Sequence, residues 1–502
     1  MNDRILLVNP PAEVVRECYD TPDYPHIGIA YVAGYLQRHG LNVAVLDAKL
    51  AKKTVKQTVD DIVEHRPRVL GLTAMTHMIA TAAKVARAVQ AVHPDTVVVL
   101  GGFHGSFLPE RTLREFPAFD YIVVGEGEMA FLELVQTVLA GEDPSNVQGI
   151  ASRVGSAVRT TNAILVGGHG VVRMADPTSG DQPEVRLNGR GRIPENLDDL
   201  GMPAWDLFPQ AKMYPIMSQR GCPFGCNFCS RPYGRTLRQR TPKHVVAELM
   251  RSVEQYGCRR VDFYDETFTV RKDYVVALCN AIIAEGLHRK LRFWSYVHAN
   301  TIDLPTAKKM KQAGFAEVGF GVESGDPEIM RRMKKGVNRN DVFRAARVFR
   351  EARLKFGAYF IIGHPHETVQ TARRSIDLAA RINPDSVAFG IMTPYPGTEV
   401  WEMAVRGEGG YKMLTMDWER FDKQIGSALE LENLSRRQME RLQLQGYLTV
   451  YLRNFRFREM LEAIGTNRKR IAFILKKLIR PDRRTASSSW LNETGREPLP
   501  AA

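Results

Sequence analysis

Residues 220–230 read RGCPFGCNFCS and place Cys222, Cys226 and Cys229 within eight positions. The chain of 502 residues has six cysteines, so half of them lie in this one segment. Thiolates are soft ligands that suit zinc and iron–sulfur clusters. The spacing C-x3-C-x2-C therefore predicts a metal centre. The rest of the chain has to form the fold that positions this centre.

Zinc and an iron–sulfur cluster are the two candidates for that centre. A structural zinc site takes four ligands, usually two Cys pairs or a Cys pair with a His pair. The sequence has no second pair, because Cys18, Cys258 and Cys279 are isolated and are predicted to be buried small hydrophobic residues. Three thiolates are too few for a structural zinc site, but on a four-iron cluster they leave one iron open to bind a substrate or cofactor. We therefore favour a 4Fe-4S cluster.

The first 140 residues alternate short apolar strands with helical segments. Strands are predicted at 5–10, 42–47, 68–73, 96–102 and 121–127. Near-continuous apolar strands separated by helices imply a parallel sheet covered on both faces. Residues 1–140 are therefore predicted to form a doubly wound, flavodoxin-like domain, which binds ligands at the carboxyl ends of its strands.

A second alternation of strands and helices begins near residue 213. Its strands are predicted at 215–221, 260–266, 291–299, 316–324, 357–365 and 386–395. Six strand–helix units are too few for a closed eight-stranded barrel, so residues 213–430 are predicted to form a partial (β/α)6 barrel. In barrels the chemistry sits at the carboxyl ends of the strands, and the three-cysteine segment follows the first of them.

The remaining segments are assigned by composition. Residues 141–212 are turn-rich and are predicted to be a connector with a few short strands. Residues 431–485 are predicted to be a basic helical region, and 486–502 a disordered tail. The chain has no apolar run of eighteen residues and no N-terminal signal pattern, so a cytoplasmic location is expected.

The net charge of +13 is concentrated near the C-terminus. Residues 453–484 carry 11 Lys and Arg against 3 Asp and Glu. This segment lacks an RNA-recognition signature, so no nucleic-acid partner is expected. Three alternatives remain open for it: a solvated helical face, peripheral contact of the basic helix with an anionic membrane, or contact with an acidic carrier protein.

The three cysteines, with Phe228 before the last of them, resemble the motif of the radical S-adenosylmethionine (SAM) enzymes. A doubly wound domain before such a barrel is similar to the cobalamin-binding half of the B12-dependent radical SAM proteins. The resemblance covers about residues 3–430, with LLVNPP, VLGLTAMT, VVLGGFHGSFLPE and YIVVGEGE as its markers. It implies three cofactors, namely a 4Fe-4S cluster, SAM and cobalamin.

The resemblance also implies binding residues. For SAM they are Asp265, Glu266, Glu323, Gly363 and Pro365. In similar enzymes the acidic pair helps hold the SAM amino group or the substrate, although a helix cap is an equal alternative for "DET", and Glu323 matches a position that binds the ribose. Gly397 and Thr398 are expected to line the pocket, whereas His364 and His366 have no assigned role.

For cobalamin the expected residues lie at the strand ends of the first domain. They are Asn9, Thr73, Gly101, Gly102, His104, Gly125 and Glu126. His77 and His104 are expected to face the ligand, with a polar loop position as the equal alternative. The motif D-x-H-x-x-G, whose histidine binds cobalt from below, is absent from the sequence.

Three functions are compatible with these features. The leading one is a methyltransferase, in which reductive SAM cleavage gives a 5′-deoxyadenosyl radical and methylcobalamin then methylates an unactivated carbon of a small molecule, free, carrier-bound or lipid. The alternative is oxidative cyclisation, as in the similar anaerobic magnesium-protoporphyrin ester cyclase. The third is a non-catalytic basic scaffold. Either enzyme needs an electron donor such as flavodoxin or ferredoxin, and no individual catalytic residue is assigned.

Overall fold

The computed structural model describes residues 5–12, 24–154, 184–422 and 428–466. Its N-terminal part is a sheet with helices on both faces. The strands are β1 (Ile5–Asn9), β2 (Val43–Asp47), β3 (Val69–Thr73), β4 (Val97–Gly101), β5 (Tyr121–Val123), β6 (Ile150–Arg153) and β7 (Val185–Leu187). The helices are α1 (Ile27–Arg38), α2 (Val55–His65), α3 (Ile79–Val92), α4 (Phe103–Phe107), α5 (Pro109–Glu115) and α6 (Gly127–Ala140).

This sheet has the strand order β2-β1-β3-β4-β5-β6-β7. Strands β1 to β5 are parallel, which confirms the predicted doubly wound arrangement. Successive side chains of β1 enter two different cores, Ile5 and Leu7 on one face and Leu6 and Val8 on the other. Strands β6 and β7 come from the predicted connector and extend the sheet by antiparallel pairing.

The second part of the chain is a six-stranded parallel sheet covered by helices. Its strands are β8 (Met213–Ile216), β11 (Arg260–Phe263), β12 (Arg292–Val297), β13 (Phe315–Glu323), β14 (Lys355–Ile362) and β15 (Ser386–Ile391), and a short antiparallel pair is formed by β9 (Gln219–Arg220) and β10 (Arg238–Gln239). The helices are α7 (Pro242–Tyr256), α8 (Lys272–Ala284), α9 (Leu287–Lys290), α10 (Leu304–Gln312), α11 (Pro327–Arg332), α12 (Arg339–Glu351), α13 (Val369–Ile382) and α14 (Glu399–Arg406).

The order of these six strands is β8-β11-β12-β13-β14-β15, and every neighbouring pair is parallel. This confirms the predicted partial (β/α)6 barrel.

Local sequence signals set the helix boundaries. The side chain of Thr241 accepts a hydrogen bond from the backbone N–H of His244, and Pro242 occupies the first helical position of α7.

The chain ends in a hairpin and two helices. These elements are β16 (Tyr411–Met413), β17 (Leu429–Leu431), α15 (Arg436–Arg453) and α16 (Phe457–Thr466). Helix α15 covers strand β15, because Gln443 donates a 2.6 Å hydrogen bond to the carbonyl of Phe389 and Gly446 lets the Phe389 ring approach the helix backbone. The rest of the predicted basic region and the tail 486–502 lie outside the described residues. Within the described ranges, no helix is long and apolar enough to cross a membrane.

Candidate active site at the domain interface

The three-cysteine segment lies between β9 and β10, at the carboxyl end of the first barrel strand. The backbone N–H of Cys222 donates to the carbonyl of Gly234 at 3.0 Å, which closes the loop on itself. The N–H of Asn227 donates to the carbonyl of Met333 at 3.1 Å and ties the loop to the segment that follows α11. Backbone contacts therefore hold the loop, and the Cys222 sulfur lies 3.7 Å from the Thr267 hydroxyl.

The thiols of the cysteine loop lie in a largely buried environment. Burial raises the pKa of Cys226 to about 12 and also raises the pKa of Cys229, so both sulfurs need a cationic partner to act as thiolates. Across the described ranges, no group of three or more His, Cys, Asp or Glu side chains is placed to hold a single metal ion. Cys258 and Cys279 are buried, as predicted.

Arg220, two residues before Cys222, joins this loop to the first domain. Its Nη1 lies 2.6 Å from Glu126 Oε2, and its Nη2 lies 2.5 Å from Glu128 Oε1. Glu126 also pairs with Arg238. We call these four residues the interdomain ion-pair cluster. The side chains of Arg220 and both glutamates are each 5% exposed, so the start of α6 and the cysteine loop form one buried contact.

The electrostatics of this cluster favour its ionised form. Burial acts to raise the pKa of Glu128, but the charge and hydrogen bonds of Arg220 override it, so the pKa of Glu128 is lowered. Burial acts to lower the pKa of Arg220, and Glu128 reverses that effect. Two aromatic rings complete the enclosure, since the Arg220 guanidinium lies 5.7 Å from the Tyr31 ring centroid and 5.1 Å from that of Tyr233.

The two carboxylates after β11, Asp265 and Glu266, have different hydrogen-bond partners. Asp265 is buried and accepts hydrogen bonds from the N–H and hydroxyl of Ser218 and from the N–H of Gln219, so it fixes the chain that leads into the cysteine loop. Glu266 accepts the N–H of Gly221 at 2.9 Å through Oε2, whereas its buried Oε1 has no hydrogen-bond partner among the described residues. Burial raises the pKa of each carboxyl to about 7. The orphaned oxygen of Glu266 fits the ammonium group of SAM.

Glu323 ends β13 in an unusual backbone conformation. Its φ is +68°, in the left-handed region that non-glycine residues rarely adopt, and it follows an irregularity in the pairing of β13 with β14. Its buried side chain pairs with Lys335 Nζ at 2.5 Å. Strain of this kind persists where the surroundings hold it and is concentrated at functional sites. The position suits the predicted contact with the ribose hydroxyls of SAM.

The segment after β14 is shaped by Gly363 and Glu367. Gly363 has φ +107°, and a Cβ there would lie 3.0 Å from the Cβ of Met392 and 3.1 Å from the sulfur of Met439. Its N–H donates to Glu367 Oε2, which also accepts the N–H of His364 at 3.2 Å. Pro365 is buried next to Gly409. The backbone of this segment is therefore fixed by close packing and by Glu367, while contact of Gly363 and Pro365 with SAM stays a prediction.

Two buried histidines lie beside the cysteine loop: His364, to which the sequence assigned no role, and His298, which the sequence did not single out. His364 is fully buried, its ring centroid lies 5.7 Å from that of Phe228, and neither ring nitrogen has a hydrogen-bond partner within the described part of the chain. His298 stacks on Phe224 at 3.7 Å between ring centroids. Burial lowers the pKa of His364 to about 4 and that of His298 to about 3, so both are neutral. In the sequence, only the aromatic residues between the cysteines, Phe224 and Phe228, indicated such ring contacts.

Glycines shape the strand ends of the first domain. Gly102 has φ +92°, and a Cβ there would lie 2.7 Å from the carbonyl of Ala74, so the two strand ends approach closely only with glycine. In front of Gly125 there is open space, and at Gly101 the nearest atom to an added Cβ is 3.9 Å away. Thr73 is half-buried at the same edge. These open glycine positions fit a backbone that approaches cobalamin.

Three of the other expected cobalamin residues are engaged within the protein. Asn9 donates a 2.8 Å hydrogen bond to Asp47, and Glu126 belongs to the interdomain ion-pair cluster. His104 is buried, and its ring centroid lies 4.8 Å from that of Trp418 in the second half of the chain. Its role in cobalamin binding stays a prediction.

Known protein families match both domains that form the site. The B12 binding domain model matches residues 19–135, and the Radical SAM superfamily model matches residues 216–379. An uncharacterized methyltransferase of Pyrococcus horikoshii, PH0819, is 30% identical over 95% of this chain and 97% of its own length. The chain belongs to the B12-binding radical SAM proteins. The anaerobic magnesium-protoporphyrin IX monomethyl ester cyclase of Rubrivivax gelatinosus is 28% identical over 80% of this chain and 69% of its own.

Solved structures of B12-dependent radical SAM proteins share this fold. The radical SAM methyltransferase TsrM of Kitasatospora setae superposes with a TM-score of 0.67 at 19% identity, over 90% of this chain and 89% of its own. The cobalamin-dependent SAM radical enzyme OxsB gives a TM-score of 0.71 at 16% identity, over 98% of this chain and 75% of its own. The predicted fold class, family and set of cofactors are thereby confirmed, while the individual SAM and cobalamin residues stay predictions.

Proposed function

We propose that this B12-binding radical SAM protein is a methyltransferase that transfers a methyl group to an unactivated carbon of a small molecule. The observation that carries the proposal is the interdomain ion-pair cluster, which joins the cysteine loop to the strand-end loop of the B12-binding domain. A methyl transfer to carbon needs a hydrogen-abstracting centre and a methyl donor on either side of one substrate, and this contact brings the two loops together.

The chain's own residues supply binding and orientation. When bound, the cluster and SAM supply a radical that removes a hydrogen atom, and cobalamin supplies the methyl group. Cys222, Cys226 and Cys229 would hold the cluster. Glu266 offers its unpartnered Oε1 to the SAM ammonium, and Glu323, paired with Lys335, offers acceptors to the ribose. Buried His364 and half-buried Phe228 exclude water beside the cluster loop.

Methylation is favoured over oxidative cyclisation by the relatives' names. PH0819 matches over nearly its whole length and is named a methyltransferase, as is the cytidylyl-2-hydroxyethylphosphonate methyltransferase of Streptomyces wedmorensis. The cyclases match over a smaller share of their length. Cyclisation is kept as the second candidate, because both reactions use the same cofactors.

The proposed partners follow from this chemistry. The cluster takes up one electron in each reductive cleavage of SAM, so the protein works with a small electron-transfer protein such as flavodoxin or ferredoxin in the cytoplasm. The described part of the C-terminal region exposes Leu444, Leu448 and Leu452 at helical spacing on α15. This apolar row supports peripheral contact with a membrane or a carrier protein that presents the substrate.

The proposal is tested by anaerobic reconstitution with iron, sulfide and cobalamin. The protein is then incubated with a reductant, methyl-labelled SAM and small-molecule extract. Formation of S-adenosylhomocysteine and 5′-deoxyadenosine, with label in a product about 14 Da heavier than its precursor before isotopic correction, supports methylation. Formation of 5′-deoxyadenosine alone, with an unlabelled product, supports cyclisation. A Cys226→Ala variant is the control and should form none of these compounds.

A further inference from the structure

The outer side of the cysteine loop lies at the protein surface. Pro223 is exposed, and Phe224, Gly225 and Cys226 are half-buried. On the other side, Arg220 ties the loop to the first domain through buried ion pairs. An electron from another protein therefore has its shortest path to the proposed cluster through the outer side of the loop, at the level of Gly225.

Basic residues flank this point on both sides. A Cβ at Gly225 would lie 3.4 Å from the carbonyl oxygen of Lys334 and 3.7 Å from Nη2 of Arg235. The side chains of Lys334 and Arg235 are both exposed. Nη1 of Arg231 donates a 3.0 Å hydrogen bond to the carbonyl of Phe224 and so holds the loop from within. The surface around Gly225 is therefore bordered by two exposed cations.

The segment that contains Lys334 extends this basic surface. The side-chain amide of Asn227 donates to the carbonyl of Arg332 at 3.3 Å, which fixes the end of α11 against the cysteine loop. Beyond Lys334 the surface has a cavity of about 480 Å³, whose wall includes Arg331, Gly336 and Arg339. The basic residues of α11 and of the start of α12 thus border one continuous surface with the loop.

These cations outnumber the carboxylates that face them. We define the basic rim by its five members, Arg235, Arg331, Arg332, Lys334 and Arg339. Glu328 pairs with both Arg331 and Arg332, and Glu399 pairs with Lys334. Within the described ranges, Arg235 and Arg339 have no carboxylate partner. Five cations against two carboxylates leave a surplus of three positive charges around the outer side of the loop.

The composition of this surface favours an acidic protein over a membrane as its partner. A surplus of one charge around a single point attracts a partner of opposite charge and orients it during encounter. Peripheral binding to a membrane also needs apolar side chains that enter the lipid. No large hydrophobic residue of 221–239 or 327–340, all of which the structure describes, is exposed.

From this geometry we infer that the basic rim is the docking surface for a small acidic one-electron carrier of the flavodoxin type. In the transfer, the anionic flavin hydroquinone of the carrier loses one electron and becomes the neutral semiquinone. The oxidised 4Fe-4S cluster takes up that electron through the cysteine loop, and no bond forms or breaks. The inference rests on the electron-transfer partner named in the proposed function, and it is independent of methyl transfer.

The test is stopped-flow reduction of the anaerobically reconstituted protein by flavodoxin hydroquinone, followed by the visible absorbance of the cluster. The variant combines Arg235→Glu with Arg339→Glu, because neither side chain has an ion pair to lose. We expect its second-order rate constant at low ionic strength to fall about tenfold or more, since steering is replaced by repulsion. The native rate constant should also fall by about tenfold when salt is raised to about 0.5 M.

Two controls separate docking from other effects. Photoreduced 5-deazariboflavin is a small uncharged reductant, so it should reduce the native protein and the rim variant at the same rate. Lys308→Glu combined with Lys311→Glu makes the same change in charge at exposed positions of α10. This second control should keep the native rate with flavodoxin to within about twofold.

A native rate in the rim variant, equal slowing in the α10 control, or a native rate that does not depend on salt would each overturn the inference. If the rim variant lost its iron or its circular dichroism, Arg235→Gln with Arg339→Gln would replace it. Half the change in charge should then slow reduction by about threefold. Normal reduction by flavodoxin in a protein that forms no methylated product would contradict the proposed function alone.

Discussion

Replacing Arg220 with methionine tests the interdomain ion-pair cluster, because it removes the cation and keeps an apolar side chain of similar length. Glu126 retains Arg238 in this variant, whereas Glu128 loses the partner that holds it at 2.5 Å. One carboxylate with 5% side-chain exposure is then left without its cation. Breaking a buried pair in this way costs about 3–5 kcal/mol. A cooperative unit of 150–250 residues loses about 2–4 °C per kcal/mol, so we expect Tm to fall by roughly 6–20 °C.

The same variant should respond to pH in a defined direction. In the native protein Arg220 lowers the pKa of Glu128 against the effect of burial. The ion pair therefore stabilises the fold at pH values above the ordinary pKa of a glutamate, and this stabilisation is lost as the pH falls. Without Arg220, burial alone acts on Glu128 and raises its pKa, so the carboxyl takes up a proton in mild acid. The deficit in Tm between variant and native protein should therefore be larger at pH 8 than at pH 5.5.

Scanning calorimetry of the two proteins at both pH values measures this effect. Arg251→Met is the matched control, because Arg251 pairs with Asp206 at 3.3 Å on the surface, and the free energy of unfolding should change by less than about 1 kcal/mol. Combining Arg220→Met with Glu128→Gln should recover part of the lost stability, since no buried charge is then unpaired. If Arg220→Met behaved like the surface control at both pH values, the two domains would not be joined by this contact.

Three further changes test the site. Cys226→Ala should abolish binding of the 4Fe-4S cluster, measured as iron content and visible absorbance, whereas Cys279→Ala should retain it. Gly363→Ala should destabilise the protein by about 1–3 kcal/mol in thermal unfolding, because the methyl group meets Met392 in a left-handed backbone conformation; an unchanged Tm would contradict this. Burial raises the pKa of Glu367 to about 8, so native stability should fall as pH rises from about 4.5 to 8. Glu367→Gln should flatten that profile, and an equally steep decline in the variant would assign it to other groups.

The sequence by itself determined the secondary structure, and it predicts the three cysteines as the cluster ligands. The strands and helices follow from the period of apolar residues and from caps such as Thr241, which depend on near neighbours in the chain. The cysteine loop is equally local, since its three ligands fall within eight residues. Family resemblance then supplied the set of cofactors.

Only the tertiary structure decided how the two domains share residues. Arg220 and Glu128 are 92 positions apart, and nothing in the local pattern of either residue indicates the other. For the same reason the pairing of Glu126 with Arg220 and Arg238 and the pairing of β6 and β7 with the first sheet were not foreseen. The ring of Tyr24 in one domain likewise meets that of Tyr264 in the other. Contacts of this kind depend on which strand edges meet in three dimensions, and that is set by packing of whole elements instead of by residue spacing.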